Sequence, residues 1–151
     1  MNARGQPACS SACLYLCFVS LLAGCGERDI EVVEVTGRVT LDGRPPPAGG
    51  TIYFSPLETG GGHALRPSSA TFDRAGHYEA RAFEDARGLL PGTYRVVVHC
   101  WETLPTDSGP PAKSFIPDAY TSPATSKLEL TVHADARRIT WDIDLAAVKT
   151  P

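Results

Sequence analysis

The chain has 151 residues, which suits one hydrophobic core and argues against two at the usual allotment of about 100 to 200 residues per domain. Hydrophobic residues make up 42% and charged residues 21%, so the chain is apolar enough to fold and is neither collagen-like nor a low-complexity coil. Fourteen Lys and Arg against 17 Asp and Glu leave a net charge of −3; that gives no basic stripe for phosphates and argues against a nucleic-acid partner.

The first 25 residues read as an address. Arg4 precedes an apolar run at residues 12–23 (ACLYLCFVSLLA), and Gly24 and Cys25 follow it. The run is shorter than the roughly 20 residues that span a bilayer, but it matches the apolar region of a secretory signal. Leu22, Ala23, Gly24 and Cys25 (LAGC) resemble the bacterial lipobox. That resemblance implies cleavage before Cys25, a diacylglyceryl group on its sulfur, and membrane lipid as a partner through the acylated Cys25. Two or three acyl chains, at about 0.8 kcal/mol per buried CH₂, hold a protein stably where one does not. Of the five cysteines, Cys9, Cys13 and Cys17 would leave with residues 1–24. Cys100 would then be the lone thiol, expected inside a strand as a small buried hydrophobe. Residues 25–31 form a short tether, whose six extended residues after Cys25 reach about 20 Å.

The remaining chain reads as short strands, in keeping with its 14 Gly and 13 Pro. Residues 32–41 alternate, with Val33, Val35, Val39 and Leu41 on one face and Glu34, Thr36, Arg38 and Thr40 on the other. Gly37 falls on the inner face, which predicts a bulge or a close backbone approach. Asp42-Gly43 predicts a tight turn, and Pro45, Pro46 and Pro47 end the pairing. A second strand covers 51–55, and Gly60, Gly61 and Gly62 mark a loop without the Lys of a phosphate cradle. Strands at 69–72 and 77–83 flank Asp73-Arg74-Ala75-Gly76, a hairpin signal. The next strand places Tyr94, Val96, Val98 and Cys100 inward and Arg95, Val97 and His99 outward, and reads as central. Residues 102–126 carry five prolines and read as one long surface loop. Residues 128–133 and 139–145 alternate around HADAR and read as a final hairpin, and 146–151 as a tail. The expected fold over residues 32–145 is a seven-stranded antiparallel β-sandwich of immunoglobulin-like architecture.

Four segments in order carry a family resemblance: VTGRVTLDGRPPPAGGTIYFSP, TFDRAGHYEA, LLPGTYRVVV and FIPDAYTSPATSKLEL. They resemble the carboxypeptidase regulatory-like, or transthyretin-like (prealbumin-like), β-sandwich domains of short bacterial surface lipoproteins. The resemblance implies a fold and an extracytoplasmic, membrane-anchored location; fold alone implies no activity.

Chemistry is sparse. The 5-hydroxyisourate hydrolases of the transthyretin-like group end in Tyr-Arg-Gly-Ser, whereas this chain ends AAVKTP. His63, His77, His99 and His133 lack metal-site spacing, although His99 and His133 would approach each other if their strands pair. Asp142 and Asp144 share a strand face, as a calcium site would require, but a solvated face explains them without a ligand. No Gly-x-Ser-x-Gly elbow occurs. No catalytic, cofactor-binding or metal-ligating residue is therefore assigned. Trp101, with Phe115 and Tyr120 in the neighbouring long loop, forms a candidate interaction surface, on which aromatics would either meet a partner or pin the loop. The function expected is a non-catalytic interaction or structural module of the cell envelope, with an unidentified envelope protein or glycan as partner. A transthyretin-type small-ligand carrier or enzyme and a carbohydrate-binding module are the alternatives.

Overall fold

The computed structural model describes residues 32–59, 66–82 and 86–146. The fold is all-β. The strands are β1 (Glu34–Leu41), β2 (Gly50–Thr59), β3 (Ser68–Phe72), β4 (His77–Glu79), β5 (Gly92–His99), β6 (Trp101–Thr103), β7 (Lys113–Ser114), β8 (Glu129–Val132), β9 (Arg138–Thr140) and β10 (Ile143–Leu145). A single 3-10 turn, Asp118–Tyr120, accompanies them among the described residues. The hydrogen-bonded order is β10-β1-β4-β3-β2-β5-β8, with β9 also on β1 and with β6 and β7 paired separately.

The alternation in the sequence translates directly into burial. Val33, Val35 and Val39 are buried beside β1's polar face, and Ile52, Phe54, Tyr94, Val96, Val98 and Cys100 fill the same core. Asp42 and Gly43 both take positive φ, 51° and 69°, the geometry that a two-residue hairpin turn needs. Beyond it β1 pairs briefly back to Arg44 before the prolines. β3 and β4 pair antiparallel across the Asp73 turn, as expected. Asp73 holds that turn by accepting the N–H groups of Ala75 and His77, each at 2.9 Å. The Tyr94 hydroxyl donates to the Leu90 carbonyl at 2.8 Å, four residues upstream, in the manner of the tyrosine corner of β-sandwiches.

Several expectations need correction: the described residues hold ten strands rather than seven, and the strand expected at 77–83 ends at Glu79. The final hairpin does not form, because β8 lies antiparallel against β5 and the turn after it carries the chain to β1. There β9 and β10 run parallel to β1, so the fold is not wholly antiparallel. β5 is paired on both sides but is next to last in the order rather than central. β2 extends to Thr59, beyond the expected end at 55. Residues 102–126 are not one irregular loop, since they carry most of the β6–β7 ribbon and the 3-10 turn.

β9 and β10 keep one register against β1, with Thr36 opposite Thr140 and Val39 opposite Ile143. The ladder breaks only at Trp141 and Asp142. The Trp141 N–H still reaches the Thr36 carbonyl at 2.8 Å. The Trp141 carbonyl, however, accepts the Tyr78 hydroxyl at 2.6 Å. The Arg38 N–H turns instead to the Asp142 carboxylate at 2.9 Å. A Cβ on residue 37 would collide with the Trp141 carbonyl oxygen, so Gly37 marks the close backbone approach that its inward position predicts.

Candidate functional site

The outward positions of β2 and β5 bring three rings into one row. Tyr53 lies between the inward Ile52 and Phe54 and is 47% exposed. His99 lies two residues beyond Val97, the register partner of Tyr53. The Tyr53 and His99 rings meet edge to face, with centroids 5.5 Å apart. The His99 and Trp101 rings meet tilted at 34°, with centroids 5.2 Å apart. Both spacings fall in the range of favourable ring contacts. Val97, expected outward with His99, is buried.

Of the expected surface residues, only Trp101 belongs to this row. Phe115 and Tyr120 are half-buried against the core, so they pin their segment to the sheet. Phe115 N–H donates to the Cys100 carbonyl at 2.8 Å, and Ile116 beside it is buried. The Lys113 ammonium and the Glu102 carboxylate meet at 2.7 Å across β6 and β7. Leu104, just past β6 in the connection to β7, is 66% exposed. Sequence reasoning did not single out Tyr53 and His99 as site residues. Their outward parity was legible, but the β2–β5 register that makes them neighbours was not.

The face around the row carries little net charge. Register places Ser69 opposite Tyr53, and Thr71 and His99 on either side of Thr51. Arg95 is neutralised, donating to the Ser126 carbonyl at 2.7 Å and meeting Glu129 at 2.9 Å. Burial lowers the pKa of His99 and so favours the neutral ring at neutral pH. Its Nδ1 is buried without a hydrogen-bond partner. Burial also raises the pKa of the Cys100 thiol, which sits against the Ala48 carbonyl at 3.2 Å. This Cys100 is an inward packing residue, as its strand position predicts.

The carboxylates on the last strand hold the fold together. Asp142 takes the Arg38 N–H, and Asp144 takes the Thr40 hydroxyl at 2.8 Å and the Gly43 N–H at 3.4 Å. Among the described residues no three His, Cys, Asp or Glu side chains gather as a metal site would require. His99 and His133 do not meet: β5 and β8 pair antiparallel, with Gly92 opposite Val132, which leaves them at opposite ends. A hollow of about 930 Å³ on the β3–β4 hairpin is lined in part by His77, Glu79 and Arg81. Glu79 is engaged by Arg87 at 3.8 Å. His63 and the lipobox residues Leu22, Ala23, Gly24 and Cys25 lie outside the described residues. So do the tether and residues 147–151.

Comparison with known proteins returns no match, whether to family models, to curated proteins or to solved structures.

Proposed function

We propose that this chain is a lipid-anchored, extracytoplasmic module that binds a partner in the bacterial cell envelope through a non-catalytic β-sandwich of the carboxypeptidase regulatory-like, transthyretin-like type. The observation that carries the reading is the LAGC box at residues 22–25, behind an apolar run and with only six residues between Cys25 and Val32, where the strand pattern of the sequence begins. A tether that short keeps the domain near the membrane surface. The tyrosine corner at Tyr94 supports the sandwich type. The Tyr53–His99–Trp101 row supports a binding role, because aromatics left on a rigid outer face are what recognition surfaces use.

The test is a fractionation followed by a pull-down. Cys25→Ser should release the protein from membranes or leave an unprocessed precursor. Unchanged processing and membrane retention would remove the anchor from the account. The lipidated protein and the released form should recover the same stoichiometric envelope component. Recovery of nothing specific by either form would contradict the binding role.

A further inference from the structure

The outer face of β2 and β5 has a composition that selects among ligands. Its rings form a continuous row, Tyr53 to His99 to Trp101, with steps of 5.5 and 5.2 Å. Each step is about the length of one pyranose ring. Around them stand hydroxyls: Thr51 and Ser55 on β2, and Ser69 and Thr71 on the adjoining β3. All four alternate with the buried Ile52, Phe54 and Ala70, so they share the outward side. Thr51 and Ser55 are half-buried, while Ser69 and Thr71 are exposed. Arg95, the one charged residue among β5's outward positions, is engaged by Ser126 and Glu129. Such a face offers nothing to a phosphate, a sulfate or an acidic peptide. It offers ring surface, set edge to face at Tyr53–His99 and tilted by 34° at His99–Trp101, with donors and acceptors at its margin, which suits a ligand whose apolar C–H faces and hydroxyls can meet the rings one at a time. Trp101 is half-buried but is not among the residues packed on the core, so part of its ring stays open for this use.

We propose that the Tyr53–His99–Trp101 face is a glycan-binding surface that neutral sugar rings meet one aromatic ring at a time, with Thr51, Ser55, Ser69 and Thr71 meeting their hydroxyls. The proposal rests on the binding role proposed above and names the chemical class of its partner.

Titration calorimetry of the full lipidated protein, in micelles of a detergent without a sugar headgroup, tests it. The probes are a hexasaccharide of β-linked glucose, a hexasaccharide of β-linked N-acetylglucosamine, and heparin as the charged control. At least one neutral hexasaccharide should bind saturably. Trp101→Ala should abolish that binding, and Tyr53→Ala should weaken it by about tenfold or more. Tyr53 is 47% exposed and outside the core, so its variant should fold and still report if Trp101→Ala fails to fold. Asp142→Asn, remote from the row, should bind as the parent does. Binding to heparin alone, no saturable binding to either neutral hexasaccharide, or binding indifferent to Tyr53→Ala would overturn the proposal. Recovery of a stoichiometric envelope protein in the pull-down without glycan binding would overturn it too, while leaving the interaction module standing.

Discussion

Along β1 and the C-terminal strands, the outward polar side chains find partners within the chain. Asp142 takes the Arg38 N–H, Asp144 takes Thr40 and Gly43, and Arg38 Nε donates to the Ala75 carbonyl at 2.8 Å. Glu34 and Arg138 close the edge at 2.8 Å. The outer face of β2 and β5 differs. Its rings meet one another, and Tyr53 is 47% exposed. Two carboxylates on one strand face invite a metal-site reading, and a lone Trp beside a proline-rich segment invites a packing one. The contrast teaches that the invitation should be weighed after the partners are counted. A polar cluster whose carboxylates are already engaged within the chain is architecture, whereas an aromatic row outside the core is where a recognition role is worth testing.

Substitutions can break this contrast from the architectural side, and the largest effect is expected at Gly37. Gly37→Ala drives a methyl group into the Trp141 carbonyl, and backbone cannot yield as a side-chain tip can. A loss of about 3 kcal/mol or more is expected by urea unfolding. A cost below about 1 kcal/mol would show that the parallel β1 pairing yields easily.

Tyr94→Phe comes next. It leaves the Leu90 carbonyl without its donor inside the core, for an expected loss of about 2 kcal/mol. Burial pushes the Tyr94 hydroxyl up to about 12. A raised folded-state pKa means that its stability contribution is whole below the unfolded value near 10 and is lost as pH rises through about 12. The parent's alkaline destabilisation over that window should therefore shrink in the Phe variant. Identical alkaline profiles would show that Tyr94 does not carry it.

How much of this was legible in advance follows from what local alternation encodes. The inward faces of β1 and β5, the Asp73 hairpin and the tight approach at Gly37 were all readable, because each depends on residues close in sequence. The parallel course of β9 and β10 was not, since Ile139, Ile143 and Leu145 alternate in the same way beside any partner. The β6–β7 ribbon hid in a proline-rich stretch because a strand of two residues has no period to detect. Tyr53 and His99 required the register of two strands distant in sequence. Of the three expected surface residues, Trp101 stayed outside the core while Phe115 and Tyr120 packed on it, a division that composition alone could not make.

Asp142→Ala sharpens the comparison at a smaller scale. It strips the acceptor from the Arg38 N–H at an exposed site, for about 1 kcal/mol. Asn, which keeps an acceptor oxygen, should cost less. Calcium should leave the thermal midpoint of the parent unmoved; a midpoint that rises with calcium and no longer does so in Asp142→Asn would return the carboxylates to a ligand role.

The smallest architectural effect belongs to the Asp73 turn. Its pKa is lowered, chiefly by the His77 N–H that its carboxylate accepts, with Ala75 contributing against the desolvation penalty. A depressed folded-state pKa means that the stabilisation is present above the unfolded value and fades as pH falls through the folded one. The acid limb of a stability titration should accordingly flatten slightly in Asp73→Ala. An unchanged limb would remove Asp73 from the acid response.

The measurement that tests the central claim most directly pairs stability with capture in one variant, Tyr53→Ala with Trp101→Ala. The account predicts that this protein remains membrane-anchored and unfolds within about 2 kcal/mol of the parent, yet no longer recovers the envelope component that the parent recovers. A variant that is strongly destabilised while capture by its folded fraction is unchanged would contradict the account, and would make the aromatic row packing rather than a binding face.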